Sequence, residues 1–379
     1  MQIRDAIYLD VNAGALLHPE VIKALSSQDL ILGGNPSSIH AHGRKAKNLI
    51  SDARSKIASS LGLHSREATR SILFTSSGSE ANQLVIKSTF IPLVREKKKI
   101  HWITTPVEHS CNLKMVEWVK GFGGEVSFLP VDSQGRANIS ALASLVRPET
   151  ALVSLIWVNN ETGVINDIES FARECARLKI PLHLDGAQAW GKLPVELEKL
   201  AELGVSYAAF AAHKIGGLSG NGVLWAKEIK NVFVTPGTEN TIGISIMGVA
   251  AAQIDLSRQP ELAGLRDRLQ SLITSKISGV IVNGGDAPRV AGTLSLSFDG
   301  ISKQGLVQSL DLEGFSVSSG SACASGNPEP SHVLRAMGRT FEQASAAARI
   351  SFGPEMPWSD LERFALALEK TVTRMRNAK

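Results

Sequence analysis

The strongest local signal in the sequence is a single cysteine among small residues, Ser318-Ser-Gly-Ser-Ala-Cys323-Ala-Ser-Gly326. Bulky apolar neighbours usually bury a cysteine and leave it inert; small ones favour an accessible loop. A thiolate on such an arm can reach a bound substrate and carry a product outwards. Lys214, preceded by His213, can form a Schiff base with a carbonyl group. Asp185 can pair with a pyridinium nitrogen and keep it protonated, which makes the ring an electron sink. An ordinary salt bridge is the plain alternative for that pair. His109 suits stacking on a planar ring or moving protons. Gln188, one helical turn after Asp185, and Asn160 suit hydrogen bonds to ring substituents. In Ser76-Ser-Gly-Ser-Glu-Ala-Asn82 an apolar run meets a small-residue turn and then a helical pattern. The backbone N–H groups of Ser77, Gly78 and Ser79 would there face an anion such as phosphate. Arg349, inside the apolar Ala346-Ala-Ala-Arg-Ile-Ser-Phe352, carries a fork that matches a carboxylate, with a structural ion pair as the other reading. Cys175, inside a helical pattern, reads as core, and Cys111 stays close to His109.

These residues follow short apolar runs. Ser71–Thr75, Ile100–Thr104, Ala151–Val158, Ile180–Leu184 and Val205–Phe210 read as buried strands, with helical stretches such as Ile168–Leu178 between them. That alternation predicts an α/β protein with a mostly parallel sheet covered on both faces. Such sheets hold ligands beyond the C-terminal ends of their strands, where the polar residues above fall. After Gly248 helical segments surround a few strand-like runs, Gly292–Phe298 and Ala348–Phe352 among them. A smaller α+β domain is expected there. The division is a large domain over 16–248, and a small one over 1–15 and 249–379 that carries the cysteine loop and Arg349. A helix closes the chain, with Ser359 and Glu362 as a capping box.

At 379 residues the chain has room for two domains. Its net charge of +4 is too slight and dispersed to suggest DNA or RNA as a partner. Three separated cysteines argue against a zinc site or a disulfide framework. The first residues carry no apolar signal core, and no run approaches the ~18 apolar residues of a membrane span. A cytoplasmic enzyme without metal is the expectation.

Taken together, the motifs resemble the cysteine desulfurases, in the class-V aminotransferase group of pyridoxal-phosphate enzymes. The resemblance covers nearly the whole chain. It rests on Tyr8-Leu-Asp10, Asn35-Pro-Ser-Ser-Ile-His40, Phe74–Glu80, Glu108-His109, Asn159-Asn-Glu161, Asp185–Gln188 with Gly191-Lys192, His213-Lys214, Gly237-Thr-Glu-Asn240, Ser318–Cys323 and Arg335-Ala-Met-Gly338. The Cys323 loop looks like that of the nitrogen-fixation and iron–sulfur-assembly branch.

The resemblance implies the aminotransferase fold of type I, pyridoxal 5'-phosphate as cofactor and L-cysteine as substrate. It implies a homodimer and a protein sulfur acceptor, either an iron–sulfur scaffold or a tRNA-thiolation carrier. Lys214 would tether the cofactor, Asp185 would meet the ring nitrogen and His109 would stack on the ring. Gly78, Ser79 and His213 would bind phosphate, with Thr238 reaching the phosphate of the neighbouring subunit. Gln188 and Asn160 would meet ring substituents, Arg349 and Asn35 would bind the substrate, and Cys323 would take the sulfur. Three departures stand out. Ala13-Gly-Ala15 lacks the hydroxyls usual in the family, and Ala211 replaces the serine before His-Lys. The Gly-rich, Arg-containing segment expected before Gly237 is absent, which shortens the wall on the dimer side. A selenocysteine lyase, an aminotransferase or a weakened, non-catalytic relative are the competing readings.

Overall fold

The computed structural model describes residues 6–27, 34–233, 237–301, 303–319 and 330–377. Strand β1 (Ile7–Tyr8) comes first. The five apolar runs become β2 (Ile72–Thr75), β3 (His101–Thr104), β5 (Thr150–Ile156), β6 (Leu182–Asp185) and β7 (Val205–Ala211). Two strands with weaker sequence signals join them, β4 (Glu125–Phe128) and β8 (Gly222–Ala226). All seven form one sheet in the order β2-β8-β7-β6-β5-β3-β4. The sheet is mostly parallel, as expected, and β8 runs antiparallel to both β2 and β7.

Every residue of β3 and β6 is buried, which is why these strands read as continuous runs and not as alternations. Apolar clusters lie on both faces. One gathers Phe171, Leu182, Trp190, Phe210 and Met247, and the other Phe90, Trp102, Met115 and Leu224. The helices that supply them include α3 (Gly78–Arg95), α4 (Ser110–Gly121) and α5 (Ile168–Leu178), with α1 (Pro19–Leu25) and α2 (Ala41–Ser60) before them and α6 (Thr241–Ala251) after. Cys175, on α5, is fully buried, as its helical setting predicts.

Beyond α6 a second sheet forms from β9 (Val280–Val282), β10 (Thr293–Phe298) and β12 (Ala347–Ser351), antiparallel in the order β12-β10-β9. Leu294, Leu296, Phe298, Ile350, Phe364 and Leu368 pack into its own core, which Leu9 joins from the N-terminal segment. The short β11 (Phe315–Ser316) pairs with β1 in parallel. The closing helix, Trp358–Asn377, differs from the sequence expectation at its start. The N–H groups of Asp360 and Leu361 bond the carbonyl of Pro357, so the helix begins before Ser359 and the Ser359/Glu362 box does not form. A proline just before the first turn already has the right φ. The capping box that does form joins Thr340 and Gln343. Among the described residues no helix is long and apolar enough to cross a membrane.

Candidate active site

The C-terminal ends of β5, β6 and β7 meet the start of α3 around a cavity of about 380 Å³, within the range of small-ligand sites. Lys214, Asp185, His109, His213, Gln188, Asn160, Gly78, Ser79 and Arg349 all line it. Asp10, Asn12 and Asn82, to which motif reading gave no role there, line it too, and so does Cys111, whose place just after His109 kept it open to the pocket. Asn35 and Thr238 are exposed and stand outside this lining, and Asn35 accepts from the Ser37 N–H of its own turn. Cys323 lies outside the described residues.

Ser77 caps α3, its hydroxyl accepting from the Glu80 N–H. The first N–H groups of a helix have no partner inside it, so those of Gly78 and Ser79 remain for an anion at the positive end of the dipole. A close backbone approach fixes this corner. A Cβ on Gly222 would lie 2.4 Å from the Ser77 carbonyl carbon.

Lys214 follows β7 in a short 3-10 turn, and its Nζ donates to the carbonyls of Asn12 (2.6 Å) and Ala13 (3.0 Å). Burial pulls its pKa down to about 8, with Arg349 adding repulsion while Asp185 and Asp10 oppose the shift. Asp185, at the end of β6, is buried, and its two oxygens accept from Asn82 Nδ2 (2.8 Å) and the Ala187 N–H (3.1 Å). His109 caps α4, its Nδ1 accepting from the Cys111 N–H at 3.2 Å. Burial lowers the pKa of His109, leaving a neutral ring. His213 is pushed down to about 4, first by burial and then by Lys214.

Asn12 ties the cavity floor together. Its carbonyl accepts from Gln188 Nε2 as well as Lys214, and its side chain meets Lys192, the Asn160 carbonyl and Thr293. Lys192 also donates to Gln188 Oε1, and so sets which way that amide faces. Arg349, on β12, donates to Asp10 Oδ1 (2.6 Å) and to the Asn160 carbonyl (3.0 Å). Its buried Nε finds no partner among the described residues. The ion pair that the sequence offered as the plain reading of Arg349 is thus formed, with Asp10. An unmet buried donor costs ~1–3 kcal/mol. Ser318, on the cavity wall, exchanges backbone hydrogen bonds with Arg349, and Ser331 bonds the buried carboxylate of Glu161. The described residues on either side of Cys323 are thus tied, Ser318 to β12 at the cavity wall and Ser331 to the loop after β5.

A lysine amine, a carboxylate, a histidine and a helix N-terminus, all at the ends of mostly parallel strands, define a fold-type I scaffold of the pyridoxal-phosphate-dependent class. The donor set fits that cofactor, from the helix N-terminus for phosphate to Asp185 for a ring nitrogen. The chain belongs to the aminotransferase class-V family, whose model matches residues 7–236 and 230–364. It is 34% identical to "Cysteine desulfurase IscS" of Dictyoglomus turgidum over 98% of this chain and 95% of that one. Among solved structures it resembles a "NifS-like protein", with a TM-score of 0.86 at 29% identity, covering 97% of this chain and 100% of the other. It also resembles "SspA in complex with cysteine", with a TM-score of 0.79 at 26% identity over 92% and 99% of the two chains.

Proposed function

We propose that this chain is a cysteine desulfurase, which removes sulfur from L-cysteine, releases L-alanine and leaves a persulfide on Cys323. The observation that carries the reading is that Lys214 and Asp185, from different strands, line one cavity whose wall includes Ser318. At about 3.3–3.6 Å per residue, Cys323 lies within roughly 18 Å of Ser318 along the chain. The names of the relatives point to the same activity, in preference to an aminotransferase or a lyase for selenocysteine.

Pyridoxal 5'-phosphate, held in the cavity, would supply the electron sink for the carbanion character that develops on the substrate. Lys214 would hold it covalently, Asp185 would face its ring nitrogen and His109 would stack on the ring. Gly78, Ser79 and His213 would hold the phosphate, and Gln188 and Asn160 the ring substituents. Arg349 would take the substrate carboxylate through Nε, the donor that neither Asp10 nor the Asn160 carbonyl uses, with Asn35 as the second substrate contact. The Cys323 thiolate attacks the substrate sulfur; a sulfur–sulfur bond forms and the carbon–sulfur bond breaks, its electron pair staying with carbon. Once the substrate amine has taken its place, the freed Lys214 amine, drawn down to about 8 by burial in the cofactor-free cavity, is suited to carry a proton near neutral pH and would protonate that carbon to yield alanine. The persulfide then passes to a protein acceptor in iron–sulfur assembly or tRNA thiolation.

Two regions follow the two cores: 16–248 around the large sheet, and 1–15 with 249–379 around the small one. The chain works as a homodimer in which Thr238 reaches the partner's phosphate. Buried free thiols at Cys111 and Cys175 suit the reducing cytoplasm. The test is Cys323→Ser in cofactor-loaded protein. The variant should keep the cofactor spectrum and bind L-cysteine, yet form neither alanine nor sulfide in a single turnover. Alanine at the wild-type rate would overturn the assignment.

A further inference from the structure

We propose that Asn82 and His183 are positioning residues that aim Asp185 into the cavity, at the end of a one-way hydrogen-bond chain that starts at Trp102. The inference deepens the reading above and rests on it for the purpose of Asp185. Trp102 Nε1 lies 3.0 Å from Ser154 Oγ, Ser154 Oγ 3.1 Å from His183 Nδ1, His183 Nε2 3.0 Å from Asn82 Oδ1, and Asn82 Nδ2 2.8 Å from Asp185 Oδ2. The chain crosses three neighbouring strands, β3, β5 and β6, to reach α3.

The direction follows from its two ends. The Asp185 carboxylate only accepts, so Asn82 gives it an amide N–H and turns its carbonyl to His183, which must donate from Nε2. A neutral ring then accepts at Nδ1 from the Ser154 hydroxyl, whose oxygen still accepts from the Trp102 indole N–H. The opposite arrangement would set the Asn82 carbonyl oxygen against a carboxylate oxygen at 2.8 Å, two acceptors with no hydrogen between them. Trp102, Ser154, His183 and Asn82 are each at most 1% exposed, so water does not compete for these groups.

Burial alone pushes His183 down to about 3, so it stays a neutral donor at any working pH. An amide stands between His183 and Asp185. It transmits direction and passes no proton, so His183 orients the carboxylate without taking part in its protonation. Supporting shells of this kind commonly alter affinity at the site by about 10–100-fold when broken, as at metal centres.

Two measurements on the full chain test the proposal. The first is nitrogen-resolved NMR of the histidines, without cofactor and then loaded with pyridoxal 5'-phosphate. His183 should be the neutral Nε2–H form in both, from about pH 5 to about pH 9, across the range where an ordinary histidine titrates. An Nδ1–H form, or titration inside that range, would refute the chain. The second is titration of wild type, His183→Leu and His183→Gln with pyridoxal 5'-phosphate. Leucine should weaken binding at least about tenfold. Glutamine restores a donor for Asn82 and should recover most of the loss. Equal affinities for wild type and His183→Leu, or equal losses for the two variants, would remove the positioning role. Wild type that binds no pyridoxal phosphate would defeat the proposed function, while the histidine spectra would still judge the chain of hydrogen bonds.

Discussion

Lys214 is held by two backbone carbonyls in a cavity that disfavours its charge. Burial lowers its pKa from 10.5 to about 8. Between those values the unfolded chain binds a proton that the folded chain has released. Folding stability therefore rises with pH across that window, and the cost of burying the cation is present in full below it. At ~1.4 kcal/mol per pKa unit the rise amounts to about 3 kcal/mol. Lys214→Met should lack it. Urea unfolding of the cofactor-free proteins, followed from below pH 8 to above pH 10.5, should show the stability of wild type gaining on that of the variant. Parallel pH profiles would show that Lys214 is not desolvated as the structure has it. The lysine was legible in the sequence because it ends an apolar run, as do Asp185 and His109. Asn12, Asn82 and His183 were not. Each acts through partners far away in sequence, and His183 sits in the middle of a buried strand, where it reads as part of the run.

The elements explain both what the sequence displayed and what it hid. Five strands of the large sheet read as mainly apolar runs because the sheet is covered on both faces, with polar residues such as His101, Ser154 and His183 buried among them. The edge strand β4 is exposed at both its end residues, and β8 opens on a glycine directly after a Gly-rich turn, so neither had a clean signal. That glycine is a demand of packing. Gly222 pairs with Thr75 on β2 and Ala211 on β7, immediately behind the start of α3. A Cβ there would meet the backbone of Ser77 at 2.4 Å and the Gly78 nitrogen at 2.7 Å. At Gly78 itself a Cβ would meet the Ala211 side chain at 3.1 Å and the Phe210 carbonyl oxygen at 3.4 Å, a milder crowding. Gly222→Ala must therefore displace the helix start that would hold phosphate. It should lose about 1–3 kcal/mol of stability as an overpacked site. Affinity for pyridoxal phosphate should fall at least about tenfold, the equivalent of one charge-assisted hydrogen bond. Gly78→Ala should do less on both counts. Thermal unfolding and cofactor titration decide it, and the reverse order of severity would mean that the close approach of β8 does not set the cradle.

Both halves of the molecule contribute to the cavity. The N-terminal segment pairs with β11 through β1, joins the core of the small sheet through Leu9, and brings Asp10 to Arg349 and Asn12 to Lys214. The loop after β5 bonds the stretch before β10, Ile165 to Pro288 and Val290 to Gly163. These links are long-range, and sequence patterning showed the two cores without showing what joins them. Several large apolar side chains among the described residues are exposed. Ile39 is 91% exposed, Leu16 69%, Ile22 54% and Ile242 46%. Ile22 lies on α1 and Ile242 on the first turn of α6, and α6 packs against both α1 and α2, which Ile39 precedes. Exposed apolar groups on elements that pack together are costly in a monomer and are commonly covered by another chain. The exposed Thr238 leads into α6 beside them, where the proposed homodimer needs it in order to reach a second cavity. Replacing Ile39 and Ile242 together by aspartate would bury charges in that contact, which holds only if the charges are paired. Wild type should sediment as a dimer and the double variant as a monomer. Its affinity for pyridoxal phosphate should drop about tenfold or more with the loss of the partner's Thr238. A dimer that survives the two aspartates would move the contact to another face, and a variant that becomes monomeric with unchanged affinity would take Thr238 out of the phosphate site.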